Sequence, residues 1–283
     1  MRDVGLCAQI ACIWEATARK PGNVHRYRDF DDCNYTDFLL SAAAIAPVMA
    51  TACQQRVGIT ILDAVRATRQ VTGTNTNLGI VLLLAPLATV PPEQTLSSGV
   101  ESVLAGLDVE DARLAYEAIR IAAPGGLGHA PQQDVRDEPT QTLRQVMALA
   151  AERDLIARQY TTGFAEVFNH GVPLLEMGLL RTGSIEGAII SAHLRLMATH
   201  PDTLIARKCG LVVAEEAARR AQAVIDAKWR GISRFDAWLR EHGHSRNPGA
   251  TADLLTASLF VMLREESMPL PPPLPWTAGF DLD

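Results

Sequence analysis

The 283-residue sequence has few aromatic residues, only three lysines and no CxxC motif. Its five cysteines are an odd number without a CxxC pair, which argues against a disulfide framework and a structural zinc site. We therefore expect a reducing, cytoplasmic location. The net charge of −6 at pH 7 provides no broad basic surface, so we expect no nucleic-acid partner. The sequence also lacks any His-Asp dipeptide, which argues against a helical metal phosphohydrolase built on such pairs.

Strand-like alternation and long apolar runs are also missing. Apolar residues, mostly alanine and leucine, recur instead at helical spacing along almost the whole chain. This pattern predicts an all-α fold, with a single compact multi-helix domain over residues 1–266 and an extended proline-rich tail over 267–283. The chain opens without a recognisable leader, and its longest apolar run is about half of the roughly 20 residues that a membrane span needs. We therefore expect no membrane partner, and a homodimer stays open.

The periodicity predicts eleven helices and several of their ends. Asp108 is a predicted N-cap, Pro139 a predicted first-turn residue, and Asn247 a predicted N-cap followed by Pro248 at the first helical position. The predicted helices cover about 3–19, 36–55, 59–71, 77–89, 93–105, 109–122, 140–169, 172–198, 202–227, 233–241 and 248–265. The glycine-containing connection over 123–139, which includes His129, is long enough to be a functional lid or a flexible insertion.

Near the amino end, a helix carrying Glu15 leads into the segment KPGNVHR. Lys20 is one of only three lysines, so its place directly before Pro21 and Gly22 makes it a candidate phosphate ligand. The alternative is that Pro21 and Gly22 end the first helix and Lys20 complements its carboxyl-terminal dipole.

The segment VTGTNTNLGIVLLLAP places small polar residues, from Thr74 to Asn77, directly before an apolar helix. Such a loop is either a helix cap or a place where a ligand contacts backbone amides. Further along, Asp202 is a candidate cap with Arg207 one turn inside the helix, and Asp253 lies in the first turn after Asn247.

Asp154 lies on the apolar stripe of the predicted helix 140–169, together with Leu143 and Met147. A carboxylate in that position needs a partner. Arg158 could supply an ordinary ion pair one turn later. Alternatively, Asp154 is a buried acid with a shifted pKa that accepts a proton or binds magnesium.

Taken together, these segments resemble the triphosphoribosyl-dephospho-coenzyme A synthase family. The resemblance spans roughly residues 15–260, and the motifs occur in the order and approximate spacing seen in the family. Its motifs in this sequence are KPGNVHR (20–26), SAAAIAP (41–47), TGTNTNLG (72–79), PDTLIARKCG (201–210) and NPGATADLL (247–255). Characterised members are all-helical and join ATP to dephospho-coenzyme A through a ribosyl-ribosyl bond, with loss of adenine.

The resemblance implies a transferase that uses ATP as substrate and Mg²⁺ as cofactor. Displacing adenine from a ribose passes through a cation-like sugar, so the chemistry needs carboxylates near the anomeric carbon and a base for the acceptor hydroxyl. We expect Asp154 and Asp253 to be these catalytic acids, and Glu15 and Asp32 to hold the metal. The expected nucleotide- and phosphate-binding residues are Lys20, Gly22, Asn23, Arg26, Thr74, Asn75, Thr76, Gly79, Arg207, Asn247 and Gly249.

The sequence also departs from the family pattern. Coenzyme-forming members typically read NTHKG where this chain has Asn75-Thr76-Asn77-Leu78-Gly79, so a histidine and a cation are missing from the loop. The departures leave open ATP-dependent transfer to another cofactor precursor, of the one-carbon methanopterin or methanofuran type. They also leave open a non-catalytic nucleotide-binding helical protein.

Overall fold

The computed structural model describes residues 2–124, 132–272 and 274–278 of the chain, so His129 of the predicted lid lies outside the described residues. The described residues form α-helices without a β-strand, apart from isolated bridges at His25–Arg28 and Phe30–Cys33. The predicted all-α fold is therefore confirmed. The helices are α1 Val4–Thr17, α2 Tyr35–Ala50, α3 Val57–Val71, α4 Leu78–Thr89, α5 Leu96–Ala105, α6 Val109–Ala122, α7 Leu143–Ala148, α8 Leu155–Thr162, α9 Val172–Thr182, α10 Ile185–Thr199, α11 Thr203–Cys209, α12 Leu211–Asp226, α13 Ile232–Arg240 and α14 Gly249–Arg264.

Helices α4 and α14 form the centre of the bundle. Between its ends, α4 has no charged side chain and is buried on nearly every face, as expected for a helix that is apolar all round. Helix α14 is almost as buried, and its charged residues Asp253 and Arg264 lie near its two ends. Arg264 donates hydrogen bonds to the carbonyl groups of Leu87 and Val90 and thereby satisfies the carboxyl end of α4.

Three of the predicted long helices are each two helices in the structure. Predicted helix 140–169 is interrupted between α7 and α8, predicted helix 172–198 breaks at Gly183, and predicted helix 202–227 breaks at Gly210. Both glycines have positive φ angles, +62° and +90°, which other residues rarely adopt. The expected first-turn role of Pro139 is also wrong, because α7 begins only at Leu143 with Thr142 as its N-cap.

The predicted caps are partly confirmed. Asp108 accepts a hydrogen bond from the Asp111 amide and forms a reciprocal capping box at the start of α6. The prediction for α14 is wrong by one residue, because Pro248 is the N-cap and Gly249 is the first helical residue.

Helix α2 and the following 3₁₀ turn form one long apolar segment. By length and composition, the stretch Tyr35–Gln54 passes the test for a membrane span, although 28% of its apolar window is buried inside the structure. Its buried face packs against α1 and α3 in the bundle. A helix packed in a bundle passes the same test, so this finding leaves the expectation of no membrane partner untested.

The described part of the tail lies against the first turn of α10. The amides of Ile185 and Gly187 donate hydrogen bonds to the carbonyl groups of Pro275 and Thr277, at 3.2 and 3.1 Å. A Cβ atom on Gly187 would lie 2.2 Å from the Ala278 carbonyl oxygen, so a glycine is required for this close approach.

Candidate active site

Several helices begin at the same end of the bundle and enclose a cavity of about 1410 Å³. The cavity wall includes residues from the amino ends of α4, α8, α11 and α14. The predicted site residues that line it are Asp32, Thr74, Asn75, Gly79, Asp154, Arg207, Asn247 and Asp253. Parts of the TGTNTNLG, PDTLIARKCG and NPGATADLL segments therefore converge on one cavity.

Two residues of the 202–203 segment hold these helix ends together. Asp202 caps α11 through the Leu204 and Ile205 amides, and its other carboxylate oxygen accepts hydrogen bonds from the Thr251 amide and hydroxyl at 2.8 Å. Thr203 accepts a hydrogen bond from the Leu155 amide at 3.1 Å. The predicted capping role of Asp202 is confirmed, and the same carboxylate ties α11 to α14.

Asp154 does not lie within a continuous helix, because the apolar stripe assumed for it is interrupted. It is the N-cap of α8, where Oδ1 accepts hydrogen bonds from the Ile156 and Ala157 amides. Oδ2 lies 3.9 Å from the Arg207 guanidinium, and the side chain is 32% exposed towards the cavity. The expected ion pair with Arg158 is wrong, since that guanidinium lies 3.7 Å from Glu166.

Asp253 lies on the cavity wall directly against α4. A Cβ atom on Gly79 would be only 2.0 Å from Asp253 Oδ2, so the glycine makes room for the carboxyl group. Burial raises the pKa of Asp253 well above its ordinary value, and the nearby carboxylates of Glu15, Asp202 and Asp154 raise it further, whereas Arg207 opposes them. Asp253 therefore keeps its proton to a higher pH than an exposed aspartate.

A recess of about 120 Å³ opens beside the main cavity and shares part of its wall, including Asn75, Gly79, Asn247 and Asp253. Glu15, Asn23, Thr76 and Gly249 of the predicted site also line this recess. Asn23 donates a hydrogen bond through Nδ2 to Asn247 Oδ1 at 2.6 Å, which links the KPGNVHR and NPGATADLL motifs.

Lys20 lies behind this recess with no exposed surface. Its ammonium group forms a 2.9 Å ion pair with Glu15 and also donates hydrogen bonds to the Glu15 and Ala18 carbonyl groups. Burial raises the pKa of Glu15 and lowers that of Lys20, and the ion pair opposes both shifts. The ammonium donors are thus used within the protein, so this geometry contradicts the expected direct phosphate contact and assigns Lys20 to holding Glu15.

The TGTNTNLG loop is both a helix cap and a cavity wall. Asn75 Oδ1 accepts a hydrogen bond from the Leu78 amide, and Asn77 Nδ2 donates to Thr68 Oγ1 at 3.0 Å. Thr76 forms a hydroxyl–hydroxyl hydrogen bond with Ser41 of the SAAAIAP motif. These bonds fix the loop at the start of α4, so the two readings of this segment are compatible.

The two motif glycines permit tight packing. Gly22 has a φ of +78°, and its amide donates a hydrogen bond to Asp236 Oδ1 at 2.7 Å. A Cβ atom on Gly249 would lie 2.6 Å from the Leu204 side chain. Gly249 reaches the recess wall, whereas Gly22 shapes the preceding turn and does not line either cavity.

Arg26 lies away from both cavities, contrary to the expectation that it binds nucleotide. It pairs with the fully buried Glu186 at 3.0 Å and lies 4.9 Å from the centre of the Tyr27 ring. Arg19 pairs with the same carboxylate at 2.9 Å. This cluster anchors the KPGNVHR turn to α10.

Sequence reasoning missed two of the cations that line the cavity, Arg69 and Arg153. Arg69, Arg153 and Lys208 join Arg207 on its wall. Arg69 is in the last turn of α3, where a basic residue is also expected simply to complement the helix dipole. The signal for Arg69 was its position just before the TGTNTNLG loop. Arg153 lay inside the helix that was wrongly predicted as continuous.

The expected metal ligands are not grouped around a common site. Glu15 is engaged by Lys20, whereas Asp32 is 58% exposed and lies 3.1 Å from His244 Nδ1. Across residues 2–124, 132–272 and 274–278, no cluster of three or more histidine, cysteine or acidic side chains could hold a metal ion. Asp32 lies on the wall of the main cavity, whereas Glu15 lines only the recess and is paired with Lys20.

Comparison with known proteins agrees with the family resemblance of the sequence motifs. Residues 1–271 match the family described as ATP:dephospho-CoA triphosphoribosyl transferase. No curated protein matches the sequence. A solved structure of a candidate triphosphoribosyl-dephospho-CoA synthase from Archaeoglobus fulgidus aligns with a TM-score of 0.64 and 25% sequence identity, covering 80% of this chain and 98% of that chain.

Proposed function

The chain belongs to the ATP:dephospho-CoA triphosphoribosyl transferase family and is a transferase, and from this premise we propose that it moves the triphosphoribosyl group of ATP to an acceptor hydroxyl with release of adenine. The observation that carries the proposal is the convergence of Asp154, Asp253 and Arg207 on one cavity. Its volume of about 1410 Å³ exceeds the roughly 300–1,000 Å³ of a pocket for one small ligand, which supports the binding of two substrates.

The cationic side chains of the cavity suit the triphosphate. Arg69, Arg153, Arg207 and Lys208 line the cavity, and the amino ends of α4 and α14 direct their positive dipole ends towards it. Charge-assisted contacts of guanidinium groups with phosphate are stronger than neutral hydrogen bonds. We assign the direct phosphate contacts to Arg207 and these neighbours, with Asn75 and Thr74 facing the sugar-phosphate.

The two acids have different surroundings and suit different tasks. Asp154 accepts two backbone hydrogen bonds through Oδ1, which leaves Oδ2 directed towards Arg207 and the cavity. We assign it to accepting the proton of the acceptor hydroxyl. Asp253, with its raised pKa, lies beside α4 where the nucleotide sugar would meet both acids. General acid–base groups of this kind typically contribute about 10²- to 10⁴-fold to the rate.

Magnesium would neutralise the triphosphate charge. Mg²⁺ is commonly held by one or two carboxylates together with substrate phosphates, so a complete protein cluster is unnecessary. Asp32 is the residue on the cavity wall that would provide such a contact.

A second candidate exists for the acceptor of the transferred group. Leu78 lines both the cavity and the recess, at the loop position where the coenzyme-forming pattern has a cation. An apolar side chain there favours an acceptor with less negative charge near the loop than dephospho-coenzyme A carries. A one-carbon cofactor precursor of the methanopterin or methanofuran type is therefore the second candidate acceptor.

The test is incubation of the purified protein with ATP, Mg²⁺ and each acceptor, with adenine measured by liquid chromatography and the product by mass. Adenine release with dephospho-coenzyme A supports the family reaction, and release only with another precursor supports the second candidate. Asp154→Asn and Asp253→Asn should each lower the rate of release about 10²- to 10⁴-fold. Calorimetric ATP binding without adenine release for any acceptor would overturn the proposal and favour a non-catalytic nucleotide-binding protein.

A further inference from the structure

The recess beside the main cavity contains a polar atom that the proposed phosphate and sugar contacts do not use. Asn23 is only 6% exposed, and its amide oxygen Oδ1 is buried without a hydrogen-bond partner. A buried amide oxygen without a donor is unfavourable, because it has lost its water and gained nothing in return. Its position on the recess wall points to a donor from a ligand.

The other side-chain amides of the recess each make a hydrogen bond within the protein. Asn75 Oδ1 accepts a hydrogen bond from the Leu78 amide, and Asn77 Nδ2 donates one to Thr68 Oγ1. Asn247 accepts the Nδ2 hydrogen bond of Asn23, and this bond orients the Asn23 amide so that Oδ1 is the free group.

Asp253 is the second uncommitted group of the recess. Among the described residues, no lysine or arginine nitrogen lies within 4.0 Å of its carboxyl group. Its pKa is raised well above the ordinary value by burial and by neighbouring carboxylates. The recess therefore presents one acceptor and one group able to carry a proton, beside the cavity assigned to the sugar.

A cation fits this recess less well than a neutral heterocycle. The Lys20 ammonium already neutralises Glu15 at 2.9 Å, which leaves Asp253 as the one acid of the recess without a salt bridge. The recess offers a divalent cation only one unpaired carboxylate, and the triphosphate oxygens that would complete its coordination are assigned to the main cavity. A planar base with an amino group and ring nitrogens matches both the orphaned acceptor and the proton carrier.

We propose that this recess binds the departing nucleobase, with Asn23 Oδ1 accepting a hydrogen bond from the adenine amino group and Asp253 acting as the general acid on a ring nitrogen. This inference rests on the proposed function and deepens it. It gives the two acids separate roles, because Asp253 serves the leaving group and Asp154 serves the acceptor.

The proton and electron balance is complete without another reactant. The bond between C1 of the ribose and the ring nitrogen breaks, and its electron pair leaves with the base. The Asp253 carboxyl group donates its proton to that base, which departs as neutral adenine. The acceptor oxygen forms the new bond to C1 and gives its proton to Asp154. Exchange of protons with water then restores both acids.

The first experiment compares ATP with inosine triphosphate, which has an oxygen in place of the amino group. For the wild-type protein, calorimetry should show at least tenfold weaker binding of inosine triphosphate. Asn23→Leu should reduce that preference to below about threefold, while the exposed control Asn169→Leu should keep it. Equal wild-type affinity for the two nucleotides would overturn the recess assignment, and this result does not depend on any variant folding.

The second experiment measures turnover by Asp253→Asn with the acceptor that the wild type uses. The rate constant kcat should fall about 10²- to 10⁴-fold, with KM for ATP within threefold of wild type. Unchanged kcat would remove Asp253 as the general acid. Asp63→Asn, which changes an exposed carboxylate on α3, is the control.

Two further measurements distinguish a failure of the proposed function from a failure of the recess assignment. If the wild type releases no adenine, the proposed function fails, but the binding preference for ATP over inosine triphosphate still tests the recess. Titration with Mg²⁺ alone, without nucleotide, tests the alternative occupant. Tight binding of one Mg²⁺ ion that is lost in Asp253→Asn would overturn the nucleobase assignment in favour of a cation site.

Discussion

Gly79 and Asp253 are in such close contact that a methyl group on Gly79 would lie 2.0 Å from Asp253 Oδ2. This is shorter than any normal non-bonded contact. The first turn of α4 and the face of α14 that carries Asp253 therefore depend on each other, because only a glycine at position 79 leaves room for the carboxyl group.

The first prediction concerns Gly79→Ala. The new methyl group must displace the Asp253 carboxyl group, so we expect kcat to fall at least tenfold and the free energy of unfolding to fall by about 1–3 kcal/mol, as for other overpacked sites. Adenine release and urea unfolding measure the two effects.

A double-variant cycle checks the cause of this effect. Adding Asp253→Ala removes the clashing group, so Gly79→Ala should then be nearly neutral for stability. Gly73→Ala is the matched control in the same loop, because a Cβ atom there would meet nothing within 4 Å. Equal destabilisation by the two glycine substitutions would contradict the contact.

The second prediction concerns the buried pair of Lys20 and Glu15. Lys20→Met leaves the Glu15 carboxyl group buried without its cation, so we expect a loss of about 3–5 kcal/mol in the free energy of unfolding. Lys20→Met combined with Glu15→Gln should recover much of that loss. Urea unfolding of the three proteins measures it, with the exposed Lys228→Met as control. A single variant as stable as the wild type would contradict the assigned structural role.

The third prediction concerns phosphate binding by Arg207. Its guanidinium group lies on the cavity wall, and one charge-assisted contact contributes about 1.5–3 kcal/mol, so Arg207→Met should weaken ATP binding roughly ten- to a hundredfold. Calorimetry at fixed salt concentration measures this change, and circular dichroism should show the same helicity. Arg230→Met, at an exposed position after α12, should leave the affinity unchanged. Equal affinities for both variants would remove Arg207 from the triphosphate site.

The fourth prediction concerns stability in acid. His193 is fully buried, and burial, with the nearby Lys20 charge, lowers the pKa of His193 from 6.5 to about 3. Between these values the unfolded chain binds a proton that the folded chain excludes. Stability due to this residue is therefore complete above pH 6.5 and is lost as the pH falls towards 3, by about 1.4 kcal/mol per pH unit.

Unfolding measured from pH 7 to pH 4 checks this dependence. His193→Leu should flatten the pH profile of the unfolding free energy, whereas the exposed His242→Leu should leave its slope unchanged. Identical slopes for His193→Leu and wild type would show that another group determines the acid sensitivity.

The sequence predicted the helical fold and most of the segments that form the cavity, because apolar periodicity and motif order are local properties. The errors arose because a local pattern does not show where a helix is interrupted or which distant residue a side chain contacts. Asp154 followed by an apolar residue is an N-cap signal, but the apolar stripe from Leu143 predicted a helix that continues through it. Gly183 and Gly210 are helix-stop signals in the sequence, but the apolar periodicity on both sides of each glycine predicted uninterrupted helices.

The roles of Lys20 and Arg26 could not be read from their motif. Both were expected near the nucleotide because they belong to the KPGNVHR motif, yet each side chain pairs with a buried carboxylate instead. Burial of a cation depends on which acid the fold places beside it, and Glu186 is more than 150 residues away along the chain. The orphaned oxygen of Asn23 is likewise a property of the packed structure alone.

The last described residues lie beyond residue 271, where the family match stops, yet Pro275 and Thr277 complete the first turn of α10. That turn carries Glu186, which anchors Arg26 near the opposite end of the sequence. A gene trimmed at the family boundary would thus encode a protein in which the Ile185 amide loses its acceptor and the Gly187 amide keeps only the Ser184 hydroxyl. Anyone shortening this protein for crystallisation should place the cut after Ala278.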